Sequence, residues 1–408
     1  MSDIGPTTGK QRHIILDALR GLALLGIALA NYPEFGLWTF LNAAEQAAMP
    51  TAEADRWMRF ASYMWVDGKF YTIFSLLFGI GFSVILQRHS RGLFVRRMLI
   101  LVALGLLHLM FVWNGDILLL YAIGGLLLTL FVRLSDKALL CLAGLLIVVP
   151  VGLDAVTVYG GIDFARPLYD AWWHEAAAQG ITEANFASWL CDADSYSQMF
   201  AFLRQGALER MWEFVEGHRL PKVLGLFILG YLVGKHRLYA RLSDLPLKSI
   251  LRYGGVPAFV LSACYAWSAT NGHLWGDVCH SLLYAVSVIP LAVCYVAAFC
   301  LFYMAGHDRF FRFLAAPGRM ALTNYITQSL IGIFLFYGIG LGWGTRLGLV
   351  HIELIAVGVF FLQVILSHVW LRCFRFGPLE WLWRMLTYGK WFSILAKDDS
   401  NLSNCRKS

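Results

Sequence analysis

Charged residues and the short motifs of soluble enzymes are scarce in this chain. Only 14% of its 408 residues are charged, whereas 59% are hydrophobic and the mean hydropathy is +0.62. The sequence contains no C-x-x-C, H-E-x-x-H, G-x-S-x-G or Walker motif, so nothing indicates a zinc centre or a soluble-type serine hydrolase, and we expect no metal. Soluble domains carry about 25% charged residues. The composition therefore predicts a protein embedded in a lipid bilayer.

Long apolar runs divide the chain at regular intervals. The runs are about 20 residues long and their side chains do not alternate, which favours membrane helices over barrel strands. We predict an all-α, polytopic transmembrane helix bundle of ten spans, near residues 20–42, 68–87, 96–113, 117–133, 137–158, 221–236, 252–270, 280–304, 320–341 and 349–371. Segments 1–158 and 221–395 hold five spans each, 159–220 is a long loop, and 396–408 is a tail.

Basic residues mark every second connection between the predicted spans. They concentrate in 88–97, 133–137, 235–252, 309–319 and 372–384, and Lys10 and Arg12 precede the first span. By the positive-inside rule, these connections and both termini face the cytoplasm. The loop 159–220 has nine acidic residues against four arginines and is predicted to face outward. This asymmetry accounts for the net charge of +7, so the charge indicates no nucleic-acid partner.

Two of the eight cysteines are predicted near the outer side. Cys191 lies in the long loop and Cys279 at an outer boundary. A disulfide between them and a chance occurrence of two thiols both remain open. The oligomeric state is also open, and a homo-oligomer is one alternative.

The first span begins with charged residues and ends with a polar one. In LDALRGLALLGIALAN, at 16–31, ten apolar or small residues separate Arg20 from Asn31, so the two lie roughly 16 Å apart on a helix. Polar groups at such depths usually face a protein interior or a cavity. Alternatively, Arg20 extends toward lipid headgroups and Asp17 caps the helix. Because a glycine follows Arg20 and permits close packing, we favour a buried or ligand-facing arginine.

Three more candidates lie in the outer halves of spans 2 to 4. Asp67 precedes span 2 and is either a helix cap or a catalytic group. His108 lies inside span 3, where an ionisable side chain is a functional candidate and could act as a general base near neutral pH. A structural histidine, bonded to a neighbouring helix, is the alternative. Asp116 follows an Asn-Gly turn and can cap span 4.

A polar face runs along the ninth span. In APGRMALTNYITQSLI, at 316–331, Pro317 and Gly318 predict a cytoplasmic turn and Arg319 opens the helix. Asn324 and Gln328 follow at helical spacing. Such a face lines either a seam of hydrogen bonds between helices or a ligand channel, and the adjacent arginine favours the channel.

These stretches resemble the YeiB-like family of bacterial inner-membrane proteins, whose function is unassigned. LDALRGLALLGIALAN, DGKFYTIFSLLFGIGF, GLLHLMFVWNGDILLLYA, GRMALTNYITQS and FGPLEWLWR occur in the expected order. The amino-terminal half is similar, more distantly, to transmembrane acyltransferases of the heparan-α-glucosaminide N-acetyltransferase type. That type also has LRG and an Asn at the far end of its first span, but it supplies a histidine in the following loop. Here no histidine lies between His13 and His89, and we consider His108 the replacement.

The resemblance implies an acyltransferase-like enzyme of the bacterial inner membrane. It would take an acyl-CoA, such as acetyl-CoA, from the cytoplasm and transfer the acyl group to a small-molecule, lipid or glycan acceptor near the outer face. We expect Arg20 and Arg319, with Asn324 and Gln328, to bind the donor. His108 would act as the base and Asn31 would orient the acyl carbonyl, while Asp67 and Asp116 are further catalytic candidates. A transporter or exporter is the alternative, since five-plus-five topology is typical of inverted repeats; a non-catalytic envelope partner is a third.

Overall fold

A computed structural model describes residues 13–395, and within this range the chain is a bundle of α-helices without strands. The amino-terminal part consists of α1 (Ile14–Phe35), α2 (Ala43–Ala47), α3 (Ala52–Trp65), α4 (Lys69–Leu86), α5 (Arg91–Phe111), α6 (Leu118–Phe131) and α7 (Asp136–Gly160). The long loop holds α8 (Arg166–Ala178), α9 (Phe186–Asp192) and α10 (Tyr196–Glu216). The carboxy-terminal part consists of α11 (Arg219–Lys235), α12 (Leu247–Ser249), α13 (Gly255–Thr270), α14 (Asp277–Met304), α15 (Asp308–Arg319), α16 (Ala321–Phe336), α17 (Leu349–Cys373) and α18 (Pro378–Tyr388).

The predicted all-α bundle is confirmed, and each of the ten predicted spans coincides with a helix. Six helical segments of the described range are long and apolar enough to cross a membrane, and α6 and α16 are shorter apolar helices. The six segments are Ile14–Phe35, Ala52–Leu86, Arg91–Phe111, Asp136–Gly160, Asp277–Met304 and Leu349–Cys373. Length and composition therefore place a multi-pass protein in a bilayer.

Local sequence sets several helix boundaries. The hydroxyl of Ser90 accepts the backbone N–H of Leu93 and so caps α5, and Ser135 caps α7 in the same way. At the other end of α1, the chain leaves the helix at Gly36 and enters a turn in which Leu37 has φ 59°. The first span therefore begins six residues before its predicted start and ends seven residues before its predicted end.

The region before the ninth span differs from the prediction. Pro317 and Gly318 lie inside the helix α15 rather than in a turn, and Arg319 ends that helix instead of opening the next one. The break comes at Met320, whose φ of −114° and ψ of 33° interrupt the helical path. The reason is packing, because α15 lies against α1.

Two glycines allow α1 and α15 to approach backbone to backbone. A Cβ atom at Gly21 would overlap the carbonyl oxygen of Leu314, and one at Gly318 would overlap the carbonyl oxygen of Asp17. The contact is therefore closer than any side chain would permit. It holds Arg20 and Arg319 on the same side of the bundle.

The long loop folds onto the bundle as three helices. Trp172, Phe186 and Phe202 are buried in a core that also contains Trp113 and Phe336. The loop is thus a packed cap at one end of the molecule. The opposite end, the basic end of the molecule, carries the connections rich in arginine.

The structure shows that Cys191 and Cys279 do not form a disulfide. Cys191 is a free, buried thiol whose S–H donates to the carbonyl of Gly344, and Cys279 is also free. The two predicted outer cysteines are therefore unpaired.

Candidate functional site

A cavity of about 660 Å³ enters the bundle at the basic end. Ligand pockets in proteins have volumes of roughly 300–1,000 Å³, so this one is large enough for a substrate. Its walls come from α1, α4, α5, α6, α15, α16 and α18. The amino- and carboxy-terminal halves of the chain thus build it together.

Arginines dominate the charged lining of the cavity. Two carboxylates, Asp17 and Glu380, oppose six arginines, namely Arg20, Arg88, Arg97, Arg237, Arg319 and Arg384. Guanidinium groups bind phosphates and carboxylates through paired donors. The lining therefore selects for an anionic ligand.

Neighbouring side chains position several of these arginines. A nitrogen of Arg20 donates to Asp17 Oδ1 at 2.8 Å, one helical turn away. Arg319 donates to the carbonyl of Arg375 at 3.3 Å. The guanidinium of Arg97 lies 3.5 Å from the ring centroid of Trp383, a cation–π contact. Arg20 and Arg319, the two arginines predicted to bind the acyl donor, both line the cavity.

Glu380 binds the start of α16. One carboxylate oxygen accepts the backbone N–H groups of Leu322 and Thr323 at 2.6 and 3.1 Å, and the other accepts the hydroxyl of Thr323 at 2.6 Å. Burial raises the pKa of Glu380, while these hydrogen bonds act in the opposite direction. The contact fixes α18 over the mouth of the cavity.

Deeper in the bundle the lining becomes apolar. Leu24, Ile27, Phe74, Leu77 and Leu101 contribute to this part. The deep end also includes the phenol groups of Tyr121 and Tyr325 and the residues Ile117 and Leu118. A cavity with a basic mouth and an apolar interior matches a ligand with an anionic head and a hydrocarbon portion.

Behind this deep wall lies a buried triad of Asp116, His108 and Ser329. His108 Nδ1 is 2.8 Å from Asp116 Oδ2, and His108 Nε2 is 3.0 Å from Ser329 Oγ. The three side chains come from α5, the turn before α6, and α16, and each residue is at most 2% exposed. The sequence prediction included His108 and Asp116 but missed Ser329.

The hydrogen bonds determine which nitrogen of His108 carries a proton. An ionised carboxylate can only accept, so Asp116 requires a proton on Nδ1. In the neutral imidazole Nε2 is then the acceptor, and the hydroxyl of Ser329 can donate to it. The second oxygen of Asp116 accepts the backbone N–H of Leu119, in the first turn of α6, at 2.8 Å, although the N-cap residue of that helix is Ile117 rather than Asp116. This arrangement of carboxylate, imidazole and hydroxyl is the one that activates a serine hydroxyl in acyl transfer.

Only one layer of residues separates the triad from the cavity. Ile117 and Leu118, which line the cavity, directly follow Asp116 in the chain. Tyr325 lies one helical turn before Ser329, and its ring centroid is 5.3 Å from that of His108. The phenol of Tyr325 is also 3.5 Å from the carbonyl of Gly115. The side chain of Tyr325 therefore lies between ligand space and imidazole.

A second polar cluster lies on the cap side of the triad. Arg210 donates to the carbonyl of Asn114 at 2.8 Å, and the amide of Asn114 donates to Glu209 at 3.0 Å. Arg210 also pairs with Glu34 and Glu213. Burial, and next the charge of Glu213, raise the pKa of Glu209 to about 8. The turn Asn114–Asp116 thus contacts this cluster at one end and His108 at the other.

The remaining predicted site residues lie elsewhere. Asn324 donates to Ser367 at 3.1 Å and Gln328 donates to Gln363 at 2.9 Å. Gln363 in turn donates to the carbonyl of Asn324 at 2.8 Å. Of the two alternatives for this polar face, these contacts support a seam between α16 and α17 rather than a channel. Neither Asn324 nor Gln328 lines the cavity.

Asp67 and Asn31 also lie outside the triad. Asp67 accepts the hydroxyl of Tyr265 at 2.6 Å, and Gly68 rather than Asp67 is the N-cap residue of α4. Asn31 is half-buried near the end of α1 and does not line the cavity. Both ring nitrogens of His108 have other partners than Asn31. The role proposed for Asn31, to orient the acyl carbonyl, stays a prediction.

Comparisons with known proteins place the chain in a family. Residues 244–390 match the family described as "Protein of unknown function (DUF418)". The chain is 32% identical to "Uncharacterized protein YeiB" of Escherichia coli (strain K12) over 399 residues, which cover 92% of this chain and 96% of that relative. The chain belongs to the YeiB-like family.

Other relatives of the YeiB-like family extend the comparison. The chain is 29% identical to "Uncharacterized protein YxaH" of Bacillus subtilis (strain 168), covering 97% of this chain and 99% of that relative. A 39.9 kDa protein encoded in the amylase 3' region of Bacillus acidopullulyticus is also 29% identical over 402 residues. No solved structure matches. The printed descriptions of these YeiB-like proteins name no activity, so similarity to acyltransferases rests on the sequence motifs.

Proposed function

We propose that this YeiB-like protein is a membrane acyltransferase whose donor, an acyl-CoA, binds in the cavity at the basic end. The supporting observation is that one cavity combines six arginines at its mouth with an apolar interior that ends against the Asp116–His108–Ser329 triad. The charged nucleotide part of the donor would contact the arginines. The acyl thioester would extend toward the triad.

The basic end faces the cytoplasm in this proposal, as the positive-inside rule requires. Acyl-CoA is a cytoplasmic metabolite, so the cavity would open on the side where the donor is present. The cap formed by α8, α9 and α10 would lie outside, where a small-molecule, lipid or glycan acceptor would approach. The acyl group would then cross the bundle while the nucleotide stays inside.

His108 is the base in this proposal. Asp116 orients the imidazole through Nδ1. The lone pair on Nε2 accepts the proton of a hydroxyl, and the oxygen of that hydroxyl attacks the acyl carbonyl. The oxygen–carbon bond forms, the carbon–sulfur bond of the thioester breaks, and the departing thiolate takes the proton from the imidazolium. Asp116 stabilises the transient positive charge on His108.

Donor binding can be tested with Arg20→Lys. Lysine keeps the charge but loses the paired donors of a guanidinium. Hydrogen bonds to charged groups contribute about 1.5–3 kcal/mol, so we expect at least about a tenfold weaker affinity for acetyl-CoA. Arg312→Lys is the matched control, because Arg312 is an exposed arginine on α15 that does not line the cavity.

Turnover can be tested with His108→Gln, which keeps hydrogen bonding but removes the base. We expect normal acetyl-CoA binding and a loss of hydrolysis or transfer of about 10²–10⁴-fold. Unchanged affinity in both Arg20→Lys and Arg20→Ala would remove Arg20 from the site. Accumulation of a substrate in proteoliposomes without consumption of acyl-CoA would overturn the enzyme proposal in favour of transport.

A further inference from the structure

Ser329 Oγ lies 3.0 Å from His108 Nε2, and within the described residues no other hydroxyl is found in hydrogen-bond contact with that nitrogen. A base removes the proton that it already contacts. We propose that Ser329 is a nucleophile and that it carries the acyl group as a covalent ester between donor and acceptor. This inference rests on the proposed function and adds a two-step path to it.

A series of three hydrogen bonds, the last of them to Ser329, orients the triad for this role. Asp116 is fixed by the backbone N–H of Leu119, His108 is fixed by Asp116, and the Ser329 hydroxyl points at the free lone pair of His108. Ser329 Oγ is also 3.5 Å from the carbonyl of Tyr325, a contact longer than the one to His108. The hydroxyl proton is therefore directed to the imidazole.

In the first step, Ser329 Oγ gives its proton to His108 Nε2 and bonds to the acyl carbonyl carbon. The carbon–sulfur bond of the donor breaks, and the thiolate leaves with the proton from His108. In the second step, the hydroxyl of the acceptor gives its proton to His108 and its oxygen bonds to the same carbon. The Ser329 ester bond then breaks, and Oγ recovers the proton.

Ser329 lies between the donor cavity and the cap side of the bundle, so a covalent intermediate there would carry the acyl group from one side to the other. The donor cavity lies toward the basic end, whereas the turn Asn114–Asp116 also contacts the cluster on the cap side. Donor and acceptor therefore do not have to occupy one space at the same time. Rotation of the Tyr325 side chain, which forms the dividing wall, would connect the cavity with Ser329.

The test uses purified full-length protein and acetyl-CoA radiolabelled in the acetyl group, without acceptor. Labelled protein is denatured and treated with hydroxylamine, which cleaves oxygen esters only at alkaline pH but cleaves thioesters at neutral pH. We expect a label on the wild type that survives neutral hydroxylamine and is lost at alkaline pH. This property separates the ester from acylation of the free cysteines.

Two variants of Ser329 assign the label to its position. S329A should lose the ester label and at least about 10³-fold in turnover, while it retains affinity for acetyl-CoA. S329C should carry a label that neutral hydroxylamine removes in addition to any present on S329A. Ser262→Ala is the matched control, because Ser262 is a fully buried serine on α13 that donates to the carbonyl of Met64.

Each outcome separates the inference from the proposed function. If S329A transfers acetyl groups at the rate of the wild type, the donor reacts directly with the acceptor and the covalent step is wrong, although the protein is still an acyltransferase. If acetyl-CoA neither binds nor turns over, the proposed function fails and the inference with it. A label on S329A with the stability of an oxygen ester would also overturn the assignment.

Discussion

Replacing Asp116 by asparagine should reverse the direction of the hydrogen bonds at His108. Asp116 Oδ1 accepts the backbone N–H of Leu119 at 2.8 Å, and only a carbonyl oxygen can take that place in asparagine. The NH₂ group of the new side chain must then face His108 Nδ1. Because NH₂ donates, Nδ1 becomes an acceptor and the ring proton moves to Nε2.

The proton on Nε2 disables the base. Nε2 would then donate to Ser329 Oγ instead of accepting from it, so neither Ser329 nor an acceptor hydroxyl could lose its proton to His108. In serine proteases the same exchange lowers kcat about 10⁴-fold. We expect a loss of that order in acetyl transfer, equivalent to about 5.5 kcal/mol in the barrier.

The hydrogen bond to the backbone N–H of Leu119 survives this change, which separates catalysis from folding. Asp116→Asn should therefore keep acetyl-CoA affinity and thermal stability close to those of the wild type. Asp116→Ala, which loses the bond to Leu119 as well, should be both inactive and less stable, by about 1 kcal/mol for the lost hydrogen bond. Transfer rates within fivefold of the wild type in Asp116→Asn would refute the role of the tautomer.

Three further predictions concern other parts of the molecule. Gly318→Ala should cost about 1–3 kcal/mol of stability, because the added methyl overlaps the carbonyl of Asp17. Gly358→Ala on α17 is the control, since its methyl meets no atom within 4 Å and should leave stability unchanged. Thermal unfolding in detergent tests both variants. Burial and the charge of Glu213 raise the pKa of Glu209 from 4.5 to about 8. The folded state thus prefers the protonated carboxyl, and stability should be full below about pH 4.5 and fall as the pH rises through 8. Glu209→Gln should flatten that decrease between about pH 4.5 and 8, and an identical decrease in the variant would contradict the assignment. A cysteine at Ser90 should resist an impermeant thiol reagent in intact cells, and labelling there would place the basic end outside.

The sequence predicted most of the helices because hydrophobic length alone specifies them. Spans such as Asp136–Gly160 and Leu349–Cys373 are 25 residues long, close to what a bilayer requires. The helix α15 was missed, because it is short and mixes Phe310 and Phe311 with several arginines. The segment is nevertheless amphipathic, because Phe311 and Leu314 lie three residues apart and are both buried, and that spacing was the local signal for a helix.

The same limit applies to the site. Asp116 follows His108 by only eight residues, so its proximity could be anticipated from a helix that ends and turns between them. Ser329 lies 221 residues from His108, and only the tertiary arrangement of the helices brings them together. The polar side chains of α16 gave a partial signal. Sequence spacing could not show that Ser329 turns toward His108 while Asn324 and Gln328 turn toward α17.

The turn Asn114–Asp116 connects the triad to the cap through three consecutive residues. Asn114 contacts Arg210 and Glu209, the carbonyl of Gly115 is near the Tyr325 phenol, and Asp116 holds His108. A Cβ at Gly115 would overlap the ring of Trp113, so only glycine fits between the two polar residues. Burying a polar group costs free energy unless the group is hydrogen-bonded. Here Asn114 and Asp116 each form hydrogen bonds to two neighbouring residues. Because this single turn contacts both His108 and the cap-side cluster, the triad and the cap are held in a fixed relation.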